Sequence, residues 1–228
     1  MRASALGLVL AGLVLAGCGG HKKSASSNGE ASKSADKVLA DAKAAADNAS
    51  SARVSGSISS GGTPIALDLS MANGKAKGSM STSGLKFDLI RIGDTAYIQG
   101  SDDFYKHFAG AAVAQLLHGK WLKASIVSGR FASLAPLTSI SLLFGKVASN
   151  HGRLANDGTT TFEGQKVVEI RDTSDNSKLY VAATGKPYPV GIVGAKKGQS
   201  GTITFSDWNK SLSVSAPKGA IDISKLGG

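Results

Sequence analysis

Between residues 53 and 106 apolar side chains recur at every second position, a period that restricts the segment to extended chain. Val54, Gly56 and Ile58 form one run, Ile65, Leu67, Leu69 and Met71 the next, followed by Ala76, Gly78 and Met80, then Leu85, Phe87 and Leu89, then Ala96 and Ile98. Gly61-Gly62, Asn73-Gly74, Ser83-Gly84 and Gly93-Asp94 separate the runs. Residue pairs of this kind supply the positive backbone angles that tight hairpin turns require. The segment is predicted to be an antiparallel meander.

Helical spacing flanks it. Val38, Leu39, Ala42, Ala45, Ala46 and Ala49 recur every three or four residues within 35–49, a narrow alanine stripe suited to close packing on a sheet. Residues 108–118 carry Ala109, Ala112, Val113, Leu116 and Leu117 at similar spacing, with Gly119 placed as a terminating cap. A further helix is expected over 128–144, presenting Phe131, Leu134, Leu137, Ile140 and Phe144 on one side and kinked or restarted at Pro136, which has no amide hydrogen to donate. Strand signals resume at 159–171, 178–183, 188–193, 201–205 and 212–214, with turns at Asp175-Asn176, Thr184-Gly185 and Lys197-Gly198. The order helix, strands, helices, strands fits an α+β fold, a large antiparallel sheet with helices gathered on one face.

The first residues are of a different kind. Arg2 precedes the apolar run Ala5 to Leu15, and Leu15-Ala16-Gly17 leads into Cys18. The run is shorter than the roughly 20 residues of a membrane-spanning helix, and small residues stand where a signal peptidase would cut. Residues 1–17 are therefore expected to be a signal peptide. L-A-G-C resembles the bacterial lipobox, whose thiol receives diacylglycerol, so Cys18 is the expected lipid-attachment residue and the outer face of the cytoplasmic membrane the expected location. Residues 18–34 are poor in large apolar side chains and are expected to be a lipidated, disordered tether reaching at most roughly 50 Å. Residues 35–228 form the expected folded domain. Cys18 is the single cysteine, so that domain has no internal disulfide and must stand on its core.

Composition narrows the partners. Lys and Arg number 26 against 16 acidic residues, a formal charge of +10. The cations are scattered through strand-like segments without an arginine-rich helix or interleaved aromatics, which argues against nucleic acid. Anionic head groups or acidic envelope polymers suit the charge better, although it also serves solubility alone. No nucleophile elbow, phosphate loop, zinc-protease or dinucleotide motif is present. His107 and His118 lie too far apart for a metal pair, and Asp102-Asp103, as neighbours on a strand, would point to opposite faces. An enzyme is not indicated, and no cofactor or metal is expected.

Three stretches carry a resemblance: K-L-Y-V-A-A-T-G-K-P-Y-P-V at 178–190, G-T-I-T-F-S-D-W at 201–208 with Val214-Ser215-Ala216-Pro217 and Ile221-Asp222, and Lys120-Trp121-Leu122-Lys123. Together they resemble the LppX/LprG family of actinobacterial lipoproteins, related in architecture to the carrier LolA. The resemblance spans the chain from about residue 36 to Pro217, and its motifs are turns and edge strands. It implies a half-open barrel: a strongly curved antiparallel sheet with helices on its concave side, holding acyl chains of lipids or glycolipids. Leu67, Leu69, Phe87, Leu89, Leu116, Phe131, Leu134, Leu137, Ile140 and Phe144 are then the expected lining. The inward parity stays open, because a slip of one residue turns every strand side chain to the other face. Trp208 is expected to serve packing, and Trp121 would suit a mouth. Two functions remain: a lipid-anchored protein that binds or transfers acyl lipid, or a non-catalytic module that binds an envelope protein or senses through it, with a filled concavity and an exposed apolar patch.

Overall fold

The structure is a computed structural model and describes residues 26–196 and 199–223. The signal segment, Cys18, the first part of the expected tether and the Lys197-Gly198 turn lie outside these residues. The alternating runs become five strands, β1 Ser51–Ser60, β2 Thr63–Ala72, β3 Lys75–Thr82, β4 Leu85–Ile92 and β5 Thr95–Gly100, joined in antiparallel register by the expected turns. The second half adds β7 Leu154–Phe162, β8 Gln165–Asp172, β9 Lys178–Ala182, β10 Pro189–Lys196 and β11 Gln199–Ser206. Pairing of β1 with β11 joins both meanders into one sheet of twelve strands, ordered β12-β6-β5-β4-β3-β2-β1-β11-β10-β9-β8-β7. Neighbours are antiparallel except β6 (Leu122–Ser125) and β12 (Ile221–Asp222), which run parallel. The fold is α+β, an open, curled, mostly antiparallel sheet.

Inward residues of the central strands stand in transverse rows. Val54, Leu69 and Leu89 are buried beside Ile98, and the register aligns Leu69 with Gly78, Leu89 and Ile98. Gly78 has φ +149°, and a Cβ there would lie 1.9 Å from the Asp68 carbonyl oxygen. No other residue type fits so close a backbone approach between β2 and β3.

Among the described residues four α-helices accompany the sheet: α1 Ala35–Asp47, α2 Asp102–Ala109, α3 Ala111–Leu117 and α4 Ile140–Ser149. Ser34 caps α1, whose Val38, Ala42 and Ala46 are buried against the sheet and α4. The helix expected over 108–118 is broken, because Gly110 at φ 84° ends α2 and opens α3. Residues 102–106 are helical and not strand: the Ser101 side chain accepts the Phe104 amide, and Asp102 and Asp103 occupy the first turn, where the helix dipole favours acids. The helix expected over 128–144 divides into a 3-10 helix, Gly129–Thr138, containing Pro136, and then α4 after an extended Ser139. Residues 212–214 join no strand, since both edges of β11 are already paired and the chain continues to the far edge of the sheet.

The expected tether ends earlier than residue 34. Ser27 forms a bridge with Thr184, the Asn28 amide donates to the Ala183 carbonyl at 3.0 Å, and the Asn156 side chain donates to the Lys33 carbonyl at 2.8 Å. Glu30 is buried and paired with Lys33 at 2.7 Å. Polar hydrogen bonds hold this stretch where apolar burial is lacking, so its composition gave no sign of order.

Asp172, at the end of β8, accepts the Gly152 amide at 2.6 Å, and the Ser174 amide and hydroxyl at 2.8 and 2.6 Å, tying the approach to β7 onto the following turn. The Ser174 hydroxyl chiefly, with both amides, holds its carboxyl below the usual range against the opposing effect of burial. A lowered folded-state value contributes stability above the unfolded carboxylate pKa of about 4, and that contribution disappears as pH falls through the lowered value. The melting temperature is thus expected to hold from neutrality to about pH 5 and to fall below about pH 4, with a shallower fall in Asp172→Asn, measured by circular dichroism across pH. At Gly78, replacement by Val is expected to destabilise by more than about 1 kcal/mol in urea titrations, whereas Ser79→Val, at an exposed position, stays within about 0.5 kcal/mol.

Candidate functional site

The inner face of β1–β5 presents two adjacent apolar rows. Leu67, Met80 and Phe87 align with Gly100 in one, and Leu69, Leu89 and Ile98 with Gly78 in the other. Over them lie the 3-10 helix and α4: Phe131, Leu134 and Leu137 are half-buried against the cluster, and Ile140 and Phe144 are within it. Phe144 meets Phe205 of β11 edge to face, centroids 5.8 Å apart, so the lid reaches the second half of the sheet. Met71 and Met80 belong to the same cluster and supply adaptable side chains.

The structure thus brings Leu67, Leu69, Phe87, Leu89, Phe131, Leu134, Leu137, Ile140 and Phe144 into one apolar cluster. Leu116 is excluded from it. It is 74% exposed, because α3 docks through Ala114 and Leu117 and turns Leu116 away. The sequence pattern missed Val54, Ile98 and Phe205 as cluster members; their alternation with polar neighbours was the available signal.

Two open depressions lie on the opposite side of β1–β5. The larger, about 750 Å³, is bordered by Asp68, Ser79, Asp88, Gln99, Asp102 and His118, with Leu67, Met80 and Phe87 also at its wall. Gln99 donates to the Gly119 carbonyl at 2.8 Å, which places the loop after α3 on this outer face. The smaller, about 420 Å³, holds Arg53, Lys77, Ile90 and Trp121. Trp121 therefore faces the outer depression and not the inner cluster. Trp208 stacks on Tyr188 at 4.6 Å and donates to the Pro189 carbonyl at 3.1 Å, a packing role.

The charged groups here engage one another. Arg53 makes a two-pronged contact with Asp68 at 2.7 and 2.6 Å, which holds the Asp68 carboxyl below its usual range and raises the guanidinium. Asp102 meets His118 at 2.7 Å, and Asp103 meets Lys106 at 3.4 Å. His107 sits edge-on to the Phe108 ring, and His151 lies beside the Gly152 carbonyl. Among the described residues no three of His, Cys, Asp and Glu gather as a metal-binding group.

No protein-family model and no curated protein matches this sequence. Solved structures do match. LprF from Mycobacterium bovis superimposes with a TM-score of 0.56 at 13% identity, covering 81% of this chain and 97% of that one. The lipoprotein LppX of Mycobacterium tuberculosis gives 0.54 at 14% identity, covering 79% and 98%. In its curled sheet and covering helices, the chain shares the fold of LprF and LppX.

Proposed function

We propose that this chain is an exported, lipid-anchored envelope protein that takes up the acyl chains of a lipid or glycolipid between the inner face of its sheet and the segment 129–149. The observation that carries this reading is the lid itself. An inner face of aliphatic and aromatic rows is covered partly by a 3-10 helix with half-buried Phe131, Leu134 and Leu137. Helices of the 3-10 kind have poorer hydrogen-bond geometry than α-helices, and sparsely buried segments are the first to open. An acyl chain replacing those side chains gains about 0.8 kcal/mol per buried methylene without any specific polar contact. Recognition of the chain length is correspondingly loose.

Anchoring rests on Cys18 and its lipobox-like setting. Among the described residues no helix is long and apolar enough to cross a membrane. The net charge of +10 supports residence against anionic lipid on the outer face of the cytoplasmic membrane. Removal of the thiol in Cys18→Ser is expected to leave the precursor uncut and without acyl mass on intact-protein mass spectrometry. Cleavage before residue 18 in that variant would remove the anchor from the proposal.

One observation favours a second reading, a non-catalytic module for an envelope protein or for sensing: the inner face is filled by the chain's own side chains. The chain purified from membranes separates the two. Native mass spectrometry is expected to show about one lipid per chain beyond any covalent anchor, released on denaturation and regained from added phospholipid or glycolipid. A mass with no releasable lipid and no uptake would transfer the assignment to the protein-binding module.

A further inference from the structure

The outer face of β1–β5 carries two polar rows side by side. In one, Asp68, Ser79, Asp88 and Gln99 are register partners; in the next, Arg53, Ser70, Lys77 and Ile90 are. Both depressions of this face include Asp68, Ser79 and Asp88, so they form one trough. It crosses five adjacent strands, four strand spacings or roughly 19 Å. The loop after α3 walls it, with His118 beside one depression and Trp121 beside the other. That wall is tied down at three successive residues. Gln99 donates to the Gly119 carbonyl, the buried Tyr105 hydroxyl to the Lys120 carbonyl and the Ile221 amide to the Trp121 carbonyl, each at 2.8 Å. Trp121, half-buried, is thus offered to the trough from a fixed backbone.

Charge and side-chain chemistry narrow the occupant. Asp68, Asp88 and Asp102 balance Arg53, Lys77 and Lys86, so the trough is locally neutral on a chain whose total charge is +10. A polyanion meets three carboxylates here and gains nothing over an uncharged chain. A protein is poorly served as well, because interface cores rest on apolar anchors and the two rows and their wall supply Ile90 and Trp121. Lys77 and Asp88 have no side-chain partner among the described residues, and Arg53 keeps Nη1 outside its pair with Asp68. A row of acceptors beside a row of donors suits hydroxyl groups, which both give and take hydrogen bonds. An indole in turn covers the C–H face of a sugar ring. We propose that the trough binds a neutral polysaccharide, with several linked sugar rings laid across β1–β5 and one of them against Trp121. Its length favours a polymer segment over the single ring of a lipid head group. The inference rests on the envelope reading only in that such a polymer lies within reach, and it requires no lipid on the inner face.

The test uses the chain purified from membranes in a detergent that carries no sugar. It is titrated calorimetrically with maltohexaose, mannohexaose and cellohexaose, and with hexagalacturonate as the acidic counterpart. At least one neutral hexamer is expected to bind, and hexagalacturonate no more tightly than that one. Trp121→Ala and Asp88→Ala are each expected to weaken the binding about tenfold with unchanged circular dichroism. Trp121→Phe is expected to keep most of it, and Thr160→Ala, at an exposed site on β7, to change nothing. The matching methyl glycoside is expected to bind at least about tenfold more weakly than its hexamer. No binding of any neutral hexamer, tighter binding of hexagalacturonate, or affinities untouched by both alanine variants would each overturn the proposal. Equal affinity for the methyl glycoside would reduce the site to one ring, the size of a lipid head group, and overturn the polymer. A co-purifying protein lost in Trp121→Ala, with no saccharide bound, would assign the trough to that protein and overturn it too. Saccharide binding by a chain that carries no releasable lipid would sink the lipid-binding function and leave the trough standing.

Discussion

The pairing of β1 with β11 is the contact on which the remaining architecture depends. It aligns Val54 with Phe205 and Gly56 with Ile203 across residues about 150 positions apart, and Ser55 and Thr204 share a hydroxyl contact at 3.0 Å. Without it there are two meanders, each with one apolar face too small to bury. With it the inner faces become continuous, and residues of both halves join one apolar cluster with Phe144 of the lid. Loop closure over so long a stretch is costly in entropy, a cost that local structure in the two meanders reduces.

The two sides of the central sheet divide the labour. The inner side is mostly apolar, with Arg91 donating to the buried Thr138 at 3.0 Å, and is covered by residues 129–149, whose irregular first half suits it to movement. The outer side of β1–β5 is polar, with Arg53 and Asp68 paired and the loop after α3 folded back over Gln99. The exposed Arg53–Asp68 pair stabilises the surface modestly, as such pairs do.

The strands were legible because two independent signals coincide in them: side-chain alternation, and glycine or asparagine at the turns. Leu67, Leu69, Phe87 and Leu89 were assigned to one face for that reason. The helices were read less well. Ser101-Asp102-Asp103 is a sound capping sequence, but it follows a strand run directly, so the alternating pattern hides it. Gly110 splits a periodic stretch that looks continuous, and once split, α3 is free to dock through Ala114, which a count of leucines does not foresee. The short strands β6 and β12 carry too few residues for any period to show. Order at Ser27–Ser34 depends on asparagine side chains meeting backbone carbonyls far along the chain, a relation that composition does not encode.

That docking of Ser27 on Thr184 fixes more than a boundary. For a chain held at Cys18, as proposed, the leash runs only from residue 18 to Ser27, and nine peptide steps span at most roughly 32 Å whatever their conformation. The domain then works at close quarters, confined to a shallow layer above the bilayer and restricted in how far it can tumble. Every surface it offers to that layer is presented at high local concentration, so contacts too weak to hold a free protein suffice for this one.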